Sequence, residues 1–178
     1  MKIAVIQGGP STEAEVSRTS AAAVASALLQ AGHEVDRLEL IPTLGRSLLD
    51  GAYDAVFPVT HGKLGEDGAL QGLLEVLALP YVGSGVLACG LASDKVQAKH
   101  AFRAHKLPVA DQLVLRRGDD YQASIGPLVE QFPSGIAVKP ATQGSAIGIS
   151  LVRDLNDETA IHHAFEKAFR FDEVVLCE

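Results

Sequence analysis

Residues 2–17, KIAVIQGGPSTEAEVS, contain the pattern that decides the fold. The apolar, largely β-branched run ends at two glycines, which is typical of a buried parallel strand that enters a tight turn. Small and apolar residues then recur at three-and-four spacing from Val16 to Ala31, and Gly32 is placed to end the helix that this spacing predicts. A strand, a glycine turn and a helix in this order indicate the beginning of an α/β sheet.

The chain repeats this alternation as far as residue 107. We predict strands in HEVDRLEL, YDAVFPVT and PYVGSG, and helices over residues 69–77 and in two pieces of residues 86–107. Ser93 or Asp94 can cap the last of these helices. The predicted fold class is α/β, with an open, mostly parallel, Rossmann-like sheet in a domain of residues 1–106.

From about Pro108 the pattern changes. We predict an extended segment over residues 109–115, strands in GIAVKP, IGISLV and EVVLCE, and helices over residues 119–132 and 156–170, the second capped by Asn156. These elements form an α+β domain of residues 107–178. Since no turn follows the last strand, we expect it to leave an unfinished, aggregation-prone sheet edge.

Composition narrows the class of protein. The net charge of −7 argues against a nucleic-acid partner, and the sequence has no run of 18 or more uncharged apolar residues that would predict a membrane span. The apolar start is too short for a signal peptide, so we expect a cytoplasmic protein. Cys89 and Cys177 lie in apolar runs without metal-ligand spacing, which favours reduced, buried thiols.

The first glycine turn is a candidate anion site, because free backbone N–H groups at a helix N-terminus attract negative charge. It lacks the G-x-G-x-x-G pattern, and neither Asp36 nor Glu39 is an obvious ribose ligand, so a dinucleotide site is not favoured. Thr12 and Glu15 have the spacing of a capping box. That structural role leaves Glu13 as a candidate ligand contact at the carboxyl end of the first strand.

His61 follows the third predicted strand at the same sheet edge. It is either a ligand contact or a hydrogen-bonded rim residue, and GEDG at residues 65–68 is either part of a site or a turn before the next helix. Because ligands of open α/β sheets bind at the carboxyl ends of the strands, we expect Glu13 and His61 to face one pocket.

A second glycine-bearing loop, VKPATQGSAIGIS at residues 138–150, joins two predicted strands. Its small residues allow backbone N–H groups to close on phosphate oxygens, and Lys139 can add a positive charge. The segment is not a P-loop, because its lysine precedes the glycines and its flanks are both strands. A plain hairpin with glycines is the alternative interpretation.

Four segments together resemble the D-alanine–D-alanine ligases of the ATP-grasp superfamily. They are GGPSTEAEVS, HGKLGEDGALQGLLEVLALPYVGSGVLACGLASDK, LPVA and VKPATQGSAIGIS, in the family's order and spacing. The resemblance covers essentially the whole chain and implies a pre-ATP-grasp domain followed by the first lobe of an ATP-grasp unit. The family continues further, so its magnesium ligands are expected in a C-terminal part that this sequence lacks.

The resemblance also implies roles for individual residues. The pocket for the first D-alanine matches Glu13, Val16, Ser17 and His61, with the Glu13 carboxylate oriented toward the substrate ammonium. Catalytic roles are implied for Glu13 and for Ser145, which links that glutamate to the transferring phosphate. ATP contacts are implied for Lys95, Lys139, Gly144, Ser145, Ala146 and Glu178, the last in the hinge that holds adenine. Some relatives carry other or more polar residues at the positions of Thr142, Gln143 and Ala146.

The implied reaction serves peptidoglycan precursor synthesis and has two steps. ATP phosphorylates the carboxylate of one D-alanine, and the amine of a second D-alanine then displaces the phosphate. The implied cofactors are ATP and Mg²⁺, or Mn²⁺, and the implied assembly is a homodimer formed through the N-terminal domain. Two alternatives stay open, namely a ligase that joins D-alanine to D-lactate or D-serine, and a non-catalytic fragment that binds D-alanine or a partner.

We expect the loop from Ala141 to Ile147 to be among the most mobile segments of the protein when no nucleotide is bound. Its small residues bury little apolar surface, so few contacts order it before phosphate binds. Crystallographic B-factors of a nucleotide-free form test this expectation. Low values away from lattice contacts would contradict the role of a phosphate clamp.

A chain that ends at Glu178 is expected not to make D-Ala-D-Ala at a measurable rate. Without metal ligands, the charge on the transferring phosphoryl group is poorly offset, and ATP affinity falls together with turnover. The measurement is coupled phosphate release from protein of verified mass, with D-alanine, ATP and magnesium. Robust D-alanine-dependent release would overturn this expectation.

Overall fold

The computed structural model describes residues 1–120 and 123–178, and these form two compact units. The first unit is Met1–Ser93 and the second is Asp94–Glu178. The units part before the second piece of the helical segment 86–107, whereas the sequence pattern placed the domain boundary after it. The assignment of domains to residues 1–106 and 107–178 stays a prediction.

The first unit contains a three-stranded parallel sheet. Its strands are β1 (Lys2–Gln7), β2 (Glu34–Glu39) and β3 (Ala55–Pro58), in the order β2-β1-β3. Residues 4–6 of the central strand are fully buried, which confirms the predicted buried strand. The short strand predicted in PYVGSG is wrong, because Tyr81 makes only an isolated parallel bridge to Val56.

Four helices belong to the first unit, namely α1 (Ala14–Gln30), α2 (Leu44–Gly51), α3 (Ala69–Val76) and α4 (Val86–Ser93). The buried face of α1 consists of Ser17, Ala21 and Ala25, and Val16 is 58% exposed. The sequence therefore predicted the helix but placed its inner face one residue too early. Three small residues at four-residue spacing let the helix lie close to the sheet, and that closeness decides the face.

Helix α2 was not predicted from the sequence. It has two buried apolar side chains, Leu44 and Leu48, one turn apart. It is followed by Ala52 at the C-cap position, whose φ of 49° is left-handed. Three leucines and two glycines within eight residues, with one of the leucines on the exposed side, are too weak a period to indicate a helix.

Within residues 94–120 and 123–178, the second unit contains a four-stranded sheet and three helices. In chain order the elements are α5 (Lys95–Ala104), β4 (Leu113–Arg116), α6 (Ile125–Gln131), β5 (Ile136–Pro140), β6 (Ser150–Val152), α7 (Glu158–Phe169) and β7 (Val174–Cys177). The predicted α+β character is confirmed, since all neighbouring strands are antiparallel. The helix predicted over residues 119–132 is confirmed for Ile125–Gln131, as α6, and begins later than predicted. Residues 121 and 122 of that prediction lie outside the described residues.

The last strand of the second unit is an inner strand. The strand order is β4-β7-β5-β6, so β7 pairs with β4 on one side and with β5 on the other. The expected unfinished edge at β7 is therefore wrong, because both sides of this strand already carry backbone hydrogen bonds. The edges of this sheet are β4 and β6.

Helix α7 provides much of the core of the second unit. Ile161 and Phe165 are fully buried, and they pack in one cluster with Leu128 of α6 and Val138 of β5. The helix is capped by Asp157, whose carboxylate accepts from the backbone N–H of Ala160 at 3.0 Å. The predicted cap at Asn156 is wrong by one position.

Asp94 caps α5, as one of the two predicted candidates. Its carboxylate accepts from the backbone N–H groups of Val96 at 2.8 Å and Gln97 at 3.2 Å. The two cysteines differ in their surroundings. Cys177 is buried, and burial raises the pKa of its thiol to about 12. Cys89 is only half-buried, which corrects the prediction that both thiols are buried.

Within residues 1–120 and 123–178, no helix has the length and apolar character needed to cross a membrane.

Candidate functional sites

The carboxyl end of β1 is held by a serine hydroxyl. Ser17 Oγ accepts from the N–H of Gly8 at 2.8 Å and donates to the carbonyl of Val59 at 2.6 Å. Gly8 has a φ of 68°, and a Cβ there would lie 2.0 Å from a carboxylate oxygen of Glu39. Ser17, predicted to line a substrate pocket, is buried and joins the glycine turn to the segment that follows β3.

Glu13 occupies the N-cap position of α1. No side chain at that position caps the helix, and the N–H of Glu13 donates to Ser11 Oγ at 3.2 Å. The predicted capping box of Thr12 and Glu15 is wrong, because the helix begins one residue later than that box requires. Glu15 forms an ion pair with Arg18 on the helix surface instead.

Glu13 and the turn after His61 approach each other. A Cβ on Gly62 would lie 3.8 Å from Glu13 Oε2 and 3.1 Å from Ser11 Cβ. The turn is fixed by Glu66, whose carboxylate accepts from the N–H of Gly62 at 2.7 Å and lies 3.4 Å from His61 Nδ1. This placement agrees with one pocket for Glu13 and His61, and their role in substrate binding stays a prediction.

The other ring nitrogen of His61 points into the protein. His61 Nε2 is buried, and no group among residues 1–120 and 123–178 forms a hydrogen bond with it. Val16, by contrast, is largely exposed on α1. The contact with Glu66 fixes the ring of His61, and the predicted roles of His61 and Val16 in binding D-alanine stay predictions.

Sequence reasoning missed an ionic contact beside this site. Arg18 donates from Nε and from one terminal nitrogen to the two carboxylate oxygens of Glu39, at 3.0 and 3.1 Å. Gln7 Nε2 adds a third hydrogen bond at 2.7 Å. The hydrogen bonds from Arg18 hold the pKa of the Glu39 carboxyl below its usual value. Glu39 therefore joins α1 to β2. The residues close to Arg18 in the sequence do not indicate that Glu39 is its partner.

In the second unit, the predicted phosphate loop connects the antiparallel neighbours β5 and β6. Its base is anchored, since the N–H and hydroxyl of Thr142 donate to Asp172 at 2.7 and 2.8 Å, and Lys167 Nζ donates to the carbonyl of Ile149 at 2.8 Å. Its tip is exposed and consists of Gly144, Ser145 and Ala146. The last two have φ values of 47° and 59°, so the tip has a left-handed bend.

Lys95 lies at the root of this loop. Its ammonium donates to the backbone carbonyls of Pro140 at 3.1 Å, Ala141 at 3.2 Å and Gln143 at 2.5 Å. Burial, and then the nearby charge of Lys139, lower the pKa of Lys95. The side chain predicted to contact ATP phosphates thus holds the loop root to α5 in this structure.

Glu178 joins two lysines. Its carboxylate oxygens form ion pairs with Lys139 Nζ and with Lys99 Nζ. Burial raises the pKa of Glu178, but the hydrogen bonds and charges of these two lysines outweigh it and hold the pKa below its usual value. The backbone N–H of Glu178 donates to Ala137 at 3.1 Å, which places the carboxylate beside β5.

No role was assigned to Lys99 from the sequence. It follows Lys95 by four residues on α5, so the two lysines share one face of the helix, and this spacing was the available signal. Among the described residues, no group of three or more His, Cys, Asp and Glu side chains could hold a metal ion. The second site is therefore defined by lysines, one carboxylate and loop backbone.

Comparisons with known proteins follow the same division of the chain. The family profile described as D-ala D-ala ligase N-terminus matches residues 37–84, and the profile described as D-ala D-ala ligase C-terminus matches residues 101–178. The chain is 42% identical over 177 residues to the D-alanine–D-alanine ligase of Geotalea uraniireducens, and covers 55% of that protein. It is 40% identical over 178 residues to that of Halalkalibacterium halodurans, and covers 56% of it.

Solved structures agree with these matches. The D-alanine–D-alanine ligase of Coxiella burnetii has a TM-score of 0.86 at 29% identity, over 100% of this chain and 63% of that one. The ligase of Bacillus anthracis complexed with ATP has a TM-score of 0.79 at 29% identity, over 100% of this chain and 58% of that one. The predicted fold class is confirmed, and the chain spans about half the length of the curated relatives it matches.

A substitution at Gly148 tests how closely the base of the loop is packed. Its φ is 74°, and a Cβ there would lie 2.6 Å from Pro140 Cγ and 2.8 Å from Phe171 Cδ2. We expect Gly148→Ala to lower the free energy of unfolding by about 1–3 kcal/mol, through left-handed backbone strain and steric overlap. Chemical denaturation provides the measurement.

The matched control for this variant is Gly126→Ala in α6, where an added Cβ meets open space. That substitution should stabilise the protein by up to about 1 kcal/mol, because alanine favours helix. Equal effects of the two substitutions would show that the loop base is not packed as described.

Proposed function

Because the chain belongs to the D-alanine–D-alanine ligase family, we propose that it binds D-alanine and part of ATP in an enzyme that joins two D-alanines. The single observation that carries the proposal is the grouping of Lys95, Lys139 and Glu178 at the root of an exposed glycine-bearing loop. Cationic side chains beside a small-residue loop suit the phosphates of a nucleotide. A relative of the same fold was solved with ATP, which supports this choice of ligand.

The proposed reaction proceeds through an acyl phosphate. The carboxylate of the first D-alanine attacks the γ-phosphorus of ATP, and ADP leaves. The amine of the second D-alanine then attacks the acyl carbon, the carbon–oxygen bond to phosphate breaks, and the amine loses a proton. The products are D-Ala-D-Ala, ADP and phosphate, and positioning of the reactants supplies much of the rate in reactions of this kind.

The described residues have separate tasks in this proposal. Lys139 and Lys95 offset phosphate charge, and the backbone N–H groups at Gly144, Ser145 and Ala146 close over the phosphates. In the first unit, the carboxylate of Glu13 receives the ammonium of the first D-alanine, with His61 beside it and Ser17 holding the glycine turn in place. The serine hydroxyl of Ser145 orients the transferring phosphate.

Glu178 completes the proposed nucleotide site. We assign its carboxylate, which is paired with Lys139, to the adenine end of the nucleotide. Mg²⁺, or Mn²⁺ in its place, is proposed as a cofactor of the whole enzyme. The described residues contain no acidic cluster that fits such a metal, so no step is assigned to it within this chain.

The proposal extends to location and assembly. We place the protein in the cytoplasm, in the synthesis of peptidoglycan precursors, and as a homodimer formed through the first unit. Support for the dimer comes from exposed apolar side chains in that unit, since α4 has no buried residue and Leu87 is 75% exposed. A contiguous exposed apolar surface is typical of a protein interface.

Binding measurements with two ligands test this division of tasks. We expect Lys139→Met to weaken binding of Mg-ATP by about tenfold, the loss of one charge-assisted contact. Glu13→Gln should weaken binding of D-alanine and leave ATP affinity unchanged, because the two residues serve different ligands. Isothermal titration at one fixed ionic strength gives both constants.

Lys106→Met is the control for the lysine variant, because it removes the same charge from an exposed position. L-alanine is the control ligand and should bind more weakly than D-alanine. If the unaltered protein binds neither Mg-ATP nor D-alanine, or if Lys139→Met behaves like Lys106→Met, the proposed function is wrong.

A further inference from the structure

Lys99 is a buried lysine to which neither the sequence pattern nor the proposed reaction assigns a task. Its side chain is 11% exposed, and its ammonium forms an ion pair with one carboxylate oxygen of Glu178. The other oxygen of that carboxylate pairs with Lys139. One carboxylate therefore serves two ammonium groups, and one of these belongs to the proposed phosphate site.

This sharing matters because the carboxylate is largely removed from water. The side chain of Glu178 is 21% exposed, and a desolvated carboxylate is strongly destabilising when it loses its partner. If Lys139 were its single partner, a turn of Lys139 toward a phosphate would leave Glu178 unpaired. The ion pair with Lys99 removes that obstacle.

We propose that Lys99 is a positioning residue that keeps Glu178 paired while Lys139 moves its hydrogen bonds from that carboxylate to an anionic phosphate group. Lys99 itself touches no phosphate in this proposal. The identity of the anion as a nucleotide phosphate rests on the proposed function. The exchange of Lys139 between two partners rests on the geometry of the three side chains.

The neighbouring lysine cannot take this role. Lys95 lies one turn before Lys99 on α5, but its ammonium already donates to three backbone carbonyls of the loop root. Glu178 therefore depends on Lys99 once Lys139 has turned away. Two lysines around one carboxylate also leave a net positive charge, which favours an incoming anion.

The first experiment measures how readily Lys139 leaves Glu178, and it uses no nucleotide. Reductive methylation followed by peptide mass spectrometry gives the modification rate of Lys139 in the unaltered protein and in variants. In Lys99→Met, Glu178 should retain Lys139 more strongly, so we expect its methylation to slow by about threefold or more, as for coupled charges in contact.

Three further variants test whether slower methylation of Lys139 comes from its pairing with Glu178. Lys99→Arg keeps the charge and should restore the rate, and Lys106→Met should leave it unchanged. Glu178→Gln removes the shared carboxylate, so Lys139 should react faster and Lys99→Met should then have no further effect. Thermal unfolding of each variant separates a change in this pairing from a general loss of structure.

The second experiment titrates the same variants with Mg-ATP. We expect Lys99→Met to weaken binding by about tenfold, with recovery in Lys99→Arg and little added loss when Glu178→Gln is already present. If Lys139 reactivity and ATP affinity are both unchanged in a folded Lys99→Met protein, the inference is wrong. If Lys139 reactivity changes in Lys99→Met but the unaltered protein binds no Mg-ATP, the proposed function is wrong. The pairing of Glu178 with both Lys99 and Lys139, and the exchange of Lys139 that it allows, then stand.

Discussion

The arrangement of the second unit depends on one partly buried carboxylate. Glu178 follows β7, and its oxygens receive Lys99 from α5 and Lys139 from β5. Backbone hydrogen bonds between Glu178 and Ala137 bring β5 to the same place. Since a carboxylate away from water is stable only while it is paired, this contact holds a helix and two strands together.

The glycine-bearing loop takes its character from that contact. Its root is next to Lys139, and Lys95 draws the carbonyls at the root toward α5, while Asp172 holds Thr142 from the other side. The tip has small exposed residues with left-handed backbone. A positively charged root with an exposed, sterically open tip is suited to a chain of phosphates, because charge and backbone N–H groups act on the same anion. The first unit depends on different contacts. There, Ser17 and other small residues of α1 bring this helix close to β1.

Local patterns predicted the strands, most helices and Lys139 beside the loop. They could do so because the preferences of β-branched residues for strands and of glycines for turns act over a few residues. Features that depend on distant partners were not accessible in this way. The ion pair of Lys99 and Glu178 joins positions 79 residues apart, and Arg18 finds Glu39 across 21 residues. The inner position of β7 is likewise set by its pairing with β4 and β5. The predicted cap of α7 was wrong for a smaller reason, since Asn156 and Asp157 are both good caps and only the backbone path selects one.

The inner position of β7 has a consequence for how the chain is made. Within residues 1–120 and 123–178, strand β4 pairs with β7 and with no other strand, although most of the unit separates the two in sequence. During synthesis, β4 therefore lacks this neighbour until β7 has left the ribosome. Such distant pairing slows folding, and a waiting strand can associate with other chains. Whatever shelters this nascent strand, whether a chaperone or the apolar face of α7, determines how much of the newly made polypeptide reaches its native form.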